Sequence, residues 1–288
     1  MFHVVFHRNC SDGTAAMQVV KRWIGDRPAK YYAAQYKEPV PMELTEGNLN
    51  RNEDDVIIVD FSFPRAELER MSTQARSFLV LDHHAGVKGE LEGIEGCHFD
   101  NDHSGAMMAW LHFFPDEEAP EIIKHVEDRD LWRFNLPHTD VICAAAKHNM
   151  RDEQFWQDSM NGWSRDQKRD IMVLGETLLE VQEAAVAKSV RTAIRTRLFE
   201  YRTSLANVTE HISEVGHSIV HQLPVDFSTT YFITREGKVV LSFRSKPEFD
   251  VSEIARRLGG NGHKNAAGAV VDLDFLKVLY SVRIEEDE

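Results

Sequence analysis

The segment Ser77-Phe78-Leu79-Val80-Leu81-Asp82-His83-His84-Ala85-Gly86 decides how this chain folds. Its apolar run reads as a buried strand, and Asp82, His83 and His84 are delivered at the carboxyl end. Polar side chains of this kind are costly to bury unless they are paired or bind an ion. Adjacent side chains on extended backbone point to opposite sides, so His83 and His84 meet different surroundings. An acid and imidazoles at one strand end point to a divalent-cation site. Two satisfied, partly exposed histidines are the plainer alternative.

Working outward, the first half alternates strand and helix signals. Val4-Val5-Phe6 reads as a first strand, and Gly13 to Ile24 as a helix with Ala16, Val19, Val20 and Trp23 on one face. Tyr31 to Tyr36 is a second strand candidate, and Asp55 to Asp60 is a buried strand closing on an acid. Pro64 suits the first turn of a helix running to Arg76. This alternation predicts an α/β domain with a largely parallel sheet flanked by helices. Ligands in such sheets sit beyond the carboxyl ends of the strands. His7 to Asp12, Asp60, and Asp82 to His84 therefore converge on one cleft.

Further along, Ser104 reads as an N-cap before Met107 to Leu111, and a helix over Glu121 to Val126 leads into Glu127-Asp128-Arg129-Asp130-Leu131-Trp132. Ser164 to Arg195 is helical in pattern. From Arg197 the texture is α+β: Thr229 to Ile233 and Lys238 to Phe243 flank Arg235-Glu236-Gly237 as a hairpin, and a helix over Val251 to Leu258 precedes a glycine-rich run. The expected organisation is a catalytic domain over 1–163, a helical connector over 164–196 and a smaller α+β domain over 197–288. The acidic end Glu285 to Glu288 reads as a solvated tail.

Bulk properties narrow the function. The 288 residues, 42% hydrophobic and 28% charged, suit a globular protein of two domains. With 33 basic residues against 47 acidic ones, the net charge is −14. Proteins that grip long nucleic acid neutralise many phosphates with Lys and Arg, so a long duplex is disfavoured as partner and a short phosphate compound favoured. No apolar stretch reaches the ~20 residues of a membrane span, so no membrane partner is expected. Met1 to Arg8 lacks the pattern of an export signal. Scattered Cys10, Cys97 and Cys143 argue against a disulfide framework. A cytoplasmic location is the expectation.

Individually the candidate residues are ambiguous. His7 and Asp12 suit a borderline cation such as Mn²⁺, yet Asp12 could equally cap a helix. Asp60 carries the same ambiguity. Asp128 and Asp130 point the same way only in extended structure; Asp128 is preferred as a ligand because it directly follows a helix-like run, and the choice stays open. The remaining histidines, His98, His103, His112, His125, His138 and His148, have no comparable setting. In Gly259-Gly260-Asn261-Gly262-His263-Lys264-Asn265-Ala266-Ala267-Gly268 the glycines let backbone N–H groups approach an anion, and His263 and Lys264 add donors. Arg244 could hold a phosphate bidentately or serve as a salt-bridge partner.

On these residues the chain resembles the DHH phosphoesterase superfamily, in the branch with a DHHA1 C-terminal domain. The resemblance rests on Asp82-His83-His84 and the glycine-rich run, with His7, Asp12-Gly13, Asp60 and Asp128 in the family's order, and it covers both domains. It implies two Mn²⁺ ions, with Mg²⁺ or Co²⁺ as substitutes, in a cleft between the domains. His7, Asp12, Asp60, His83 and Asp128 are the implied ligands, with Asp60 bridging. Asp82 is implied as a supporting residue in a catalytic set of Asp60, Asp82, His83 and His84. His84, Arg244, Gly260, Gly262, His263 and Lys264 are the implied substrate contacts. One departure stands out. The family's first motif runs His-x-x-x-Asp-x-Asp, whereas here Ser11 occupies the first acid's spacing and Asp12 falls one place short of the second.

The expected activity is a phosphodiesterase or exonuclease on short oligonucleotides, linear dinucleotides or related small nucleotides, using a water activated between two cations ~3.5–4 Å apart. The alternatives are a phosphatase for 3′-phosphorylated adenosine nucleotides and a non-catalytic nucleotide sensor. A homodimer is expected by family analogy only.

Overall fold

Strand and helix alternate through the first half of the computed structural model, which describes residues 1–36 and 38–281. The elements are β1 (Phe2–His7), α1 (Ser11–Ile24), β2 (Ala29–Ala34), β3 (Asp55–Val59), α2 (Arg65–Gln74), β4 (Ser77–Asp82), α3 (Lys88–Leu91) and β5 (Cys97–Phe99). The helices α4 (Gly105–Phe113), α5 (Glu121–Asp130), α6 (Thr139–His148), α7 (Glu153–Asn161) and α8 (Arg165–Arg191) follow. The sheet among these residues is five-stranded, in the order β2-β1-β3-β4-β5, and every pairing is parallel. The acidic end Glu285 to Glu288 lies outside the described residues.

The period of two along each strand divides the core. Val4, Ile57, Val59 and Leu81 face one cluster with Val19, Trp110, Ile123 and Trp156 from α1, α4, α5 and α7. Val5, Val56, Ile58 and Val80 face the other, with Leu68 and Met71 of α2. Burial of β3 along its whole length follows, because both faces of a parallel sheet are covered. Each such aliphatic side chain contributes roughly 1.5–3 kcal/mol.

Two boundaries differ from the sequence reading in ways that bear on function. Helix α1 begins at Ser11 rather than Gly13, which places Asp12 in its first turn. Helix α5 runs a further turn to Asp130, so Asp128 and Asp130 are helical, not extended. In a helix, two residues apart is a rotation of about 200°, and these acids face opposite ways.

The chain divides into compact units at Met1–Leu179 and Glu180–Glu288, a boundary inside α8. The second unit contains β6 (Ile194–Leu198), β7 (Tyr201–Asn207), α9 (Ile212–Gln222), β8 (Phe227–Ile233), β9 (Lys238–Ser245), α10 (Val251–Arg257), β10 (Asn261–His263), β11 (Ala266–Asp272) and α11 (Phe275–Ser281). Its mixed six-stranded sheet has the order β10-β11-β9-β8-β7-β6, parallel only between β7 and β8. The α/β class with a separate mixed-sheet unit is as the sequence predicts. The turn at Arg235 to Gly237 joins antiparallel β8 and β9. The glycine-rich run forms the hairpin of β10 and β11, where Gly262 pairs with Ala267 and a Cβ on it would fall 2.3 Å from the Ala267 Cα. Among the described residues no helix is long and apolar enough to cross a membrane.

Candidate metal centre

The carboxyl ends of β1, β3 and β4 lie side by side, and the residues they deliver meet there with the start of α1 and the end of α5. Two groups of potential ligands form, His7 with Asp60 and His84, and Asp12 with His83 and Asp130. Within each group the donor atoms lie within 4.8 Å of one another.

Asp60 joins the groups. It is fully buried just beyond β3 and adopts φ 53°, a left-handed conformation uncommon outside glycine. Its amide donates to the Leu81 carbonyl at 2.9 Å, tying the turn to β4. Its Oδ1 lies 3.1 Å from His83 Nε2, and its Oδ2 lies 3.6 Å from His7 Nδ1. Two glycines allow this crowding. A Cβ on Gly105 would fall 2.5 Å from the Asp60 Cβ, and one on Gly13 would fall 2.5 Å from the His7 carbonyl oxygen.

His83 Nε2 also stands 3.7 Å from Asp12 Oδ2 and 3.5 Å from Asp130 Oδ2. Both Asp12 oxygens accept backbone N–H groups at the start of α4, from Gly105 at 2.6 Å and Ala106 at 3.0 Å. Asp12 thus caps a helix, though α4 rather than its own. Asp82 lies fully buried at the end of β4, where its Oδ1 engages His84 Nδ1 at 2.7 Å and the His84 amide at 3.0 Å. This fixes the His84 tautomer and leaves Nε2 as its available atom.

Charge at the centre is unbalanced. Burial raises the Asp12 carboxyl well above its usual range, and Asp60 and Asp130 add to the shift. Burial, with Asp60, raises Asp130 as well. Burial pushes Asp60 up, but His7 and His83 outweigh it and hold Asp60 well below the usual range. Burial lowers His83, but Asp60, Asp12 and Asp130 more than offset it and raise the imidazole to about 10. The buried atoms His7 Nδ1, Asp60 Oδ2 and Asp82 Oδ2 have no hydrogen-bond partner among the described residues. Orphaned donors of mixed imidazole and carboxylate type, with excess negative charge around them, fit divalent cations.

Asp128 is not brought to this centre. Its Oδ1 accepts from the Asn135 amide at 2.8 Å, and its Oδ2 from the Leu136 amide at 3.0 Å and the Thr139 hydroxyl at 2.6 Å. Asp130 stands with the cluster instead, because the helix extends beyond Val126. Tyr36 was also missed. Its ring meets His7 edge-on with centroids 5.6 Å apart and His84 at 6.1 Å. Burial, with Asp82 and Asp60 nearby, keeps its phenol protonated far into base. Nothing in the sequence marks it beyond its place two residues past β2.

In the second unit Arg244 is half-buried on β9, donating from Nη1 to the Phe243 carbonyl at 2.8 Å and from Nη2 to Ser213 Oγ at 2.7 Å. Burial lowers its pKa. Gly260 lies between α10 and β10, Gly262 and His263 lie on exposed β10, and Lys264 sits at the hairpin turn, likewise exposed.

Residues 210–282 match the DHHA1 domain family. An uncharacterized protein of Acanthamoeba polyphaga mimivirus is 27% identical over 284 aligned positions, which cover 92% of this chain. The chain spans 66% of that relative's length. Among solved structures, the DHH domain of a ribosomal-protein family member superposes with TM-score 0.62 at 15% identity, over 97% of this chain and 84% of that one. The pGpG-specific phosphodiesterase PggH from Vibrio cholerae gives 0.55 at 13% identity, over 98% and 97%. RecJ from Thermus thermophilus, solved with Mn²⁺, gives 0.55 at 15% identity, over 97% of this chain and 51% of that one. At these identities the likeness is one of fold.

Proposed function

We propose that this chain, whose residues 210–282 match the DHHA1 domain family and whose fold is similar to that of a DHH domain, is a divalent-cation-dependent phosphodiesterase or exonuclease acting on short oligonucleotides, linear dinucleotides or related small nucleotides. The observation that carries this reading is the pair of three-residue groups joined through Asp60, which offers one oxygen to each. The similarity in fold to PggH and RecJ supports it. Mn²⁺ is the proposed ion, with Mg²⁺ or Co²⁺ as substitutes.

His7, Asp60 and His84 would hold one cation, and Asp12, His83 and Asp130 the other. Bound cations supply Lewis-acid stabilisation of phosphoryl charge and lower the pKa of water. The chain's own part is to hold these donors rigidly. Helix α4 orients Asp12 through two amides, Asp82 fixes the His84 ring, and the Asp60 turn is tied to β4. No nucleophilic side chain is required, and Cys10 belongs to neither ligand group. The Ser11 departure leaves both groups with three residues, which favours an enzyme over a sensor. In the second unit Arg244, Gly260, Gly262, His263 and Lys264 are the proposed substrate contacts. The net charge of −14 favours short substrates.

The test is hydrolysis of a 5′-labelled ladder of two- to seven-nucleotide RNAs in Mn²⁺ with an EDTA control. Metal-dependent release of mononucleotides from the shortest members is the expected result. Nucleotide binding without cleavage would favour a sensor, and cleavage of long members alone would overturn the size argument.

A further inference from the structure

Immediately beyond Asp130 the chain exposes aromatic surface that the core does not use. Trp132 is 46% exposed and Phe134 40%, and neither belongs to a hydrophobic cluster of the described residues. The rings meet edge to face with centroids 5.1 Å apart. The Arg129 guanidinium lies over both, 5.8 Å from the Trp132 centroid and 6.0 Å from that of Phe134.

The backbone is held in a costly shape to present them. Trp132 has φ 55° and Phe134 φ 49°, which is rare for bulky side chains and persists only when the surroundings impose it. Asp128 imposes it here. Its carbonyl accepts the amides of Arg133 at 2.8 Å and Phe134 at 3.3 Å, while its carboxylate accepts those of Asn135 at 2.8 Å and Leu136 at 3.0 Å. Arg133 Nη2 adds a bond to the Asp102 carbonyl at 2.6 Å. The acid that the sequence reading preferred as a ligand therefore holds the loop that follows Asp130.

We propose that Trp132 and Phe134 form a stacking platform for the nucleobase next to the scissile phosphate, and that this platform restricts the substrate to base-bearing phosphodiesters. The inference rests on the phosphodiesterase reading above. Asp130 Oδ2 stands 3.5 Å from His83 Nε2. Two residues of chain span at most ~7 Å, so the Trp132 Cα lies no farther than that from the Cα of the cluster residue Asp130. Aromatic faces backed by a guanidinium suit a flat base, and such stacking tolerates every base because each has a π-face. The platform therefore selects for the presence of a base rather than its identity.

The experiment compares RNA dinucleotides with dinucleotides of the same backbone that carry abasic sugars. It uses wild type, Trp132→Ala, Trp132→Phe and Phe134→Ala, with turnover in Mn²⁺ and equilibrium binding by polarisation of labelled dinucleotide in Ca²⁺. Trp132→Ala is expected to raise KM and Kd for base-bearing dinucleotides roughly 10- to 100-fold with kcat little changed. Abasic binding should be equal in wild type and variant, and Trp132→Phe should recover most of the loss. Equal losses on both substrates, a fall in kcat alone, or a changed oligomeric state with unchanged affinity would overturn the platform. If wild type cleaves neither substrate yet shows the base-dependent affinity loss, the platform stands and the hydrolase reading fails. If wild type binds no dinucleotide, the platform fails.

Discussion

His7 Nδ1 and Asp60 Oδ2 face each other at 3.6 Å, both buried and neither with a hydrogen-bond partner among the described residues. That spacing is too long for a hydrogen bond. It suits two donors facing a common ion of the proposed centre, and the first predictions follow from it.

Asp60→Asn retains a side chain that tolerates the left-handed backbone, so the fold should survive. Turnover should fall on the order of 10³-fold or more, the scale of several kcal/mol of lost charge stabilisation. Single-turnover rates alongside a thermal melt check this. Near wild-type rates in a folded variant would refute the assignment.

Asp82 acts through His84, which it holds by Nδ1 at 2.7 Å. Asp82→Asn should lower metal affinity or activity about 10- to 100-fold, the usual cost of losing a ligand's orienting partner. Calorimetric Mn²⁺ titration measures the affinity, and an unchanged value would show that Asp82 serves only the fold.

Asp128 and Asp130 should separate cleanly. Asp128→Ala leaves the buried Thr139 hydroxyl and the part-buried amides of Asn135 and Leu136 unmatched and should cost about 1–3 kcal/mol of stability by urea unfolding. Asp130→Asn should change stability by less than about 0.5 kcal/mol while lowering metal affinity. The opposite pattern would restore Asp128 as the ligand.

How far the site was legible turns on those two acids. The strand ends were legible together rather than singly: Asp60 alone could have capped a helix, but Asp82-His83-His84 closing an apolar run was sharper, and the alternation with helices implied a parallel sheet. The Asp128–Asp130 choice depended on one extra turn of α5, and helix ends carry the weakest sequence signal. Tyr36 lies in the turn after β2, and the Trp132–Phe134 pair lies in a loop shaped by hydrogen bonds back to Asp128, so no periodicity marks them. The glycines of the C-terminal run were read as anion-binding, and close packing in the β10–β11 hairpin accounts for Gly262 directly.

In the second unit, exposed His263 can be changed without disturbing the core. His263→Ala should raise KM for the shortest oligonucleotides and leave kcat nearly constant. Initial-rate kinetics decide it; a fall in kcat at constant KM would end the proposed substrate-contact role.

Acid stability should report on Asp55, away from the metal centre. Burial pushes its carboxyl up, but hydrogen bonds from Arg76 and Ser77 outweigh that and hold it below the usual range. A depressed carboxylate stabilises the fold fully above its unfolded pKa, about 3.9, and the contribution disappears as pH falls through the lower folded value. The stability gap between wild type and Asp55→Asn should thus be full at neutral pH and shrink below about pH 4. Urea midpoints across that range measure it, and a gap constant down to the acid limit would deny Asp55 this role.

The most direct measurement is equilibrium dialysis of wild type and Asp60→Asn against Mn²⁺. The account requires about two ions per wild-type chain and a loss of affinity for both on replacing Asp60, which is a member of one ligand group and stands 3.1 Å from His83 of the other. Absence of specific binding in wild type, or unchanged binding in Asp60→Asn, would contradict it.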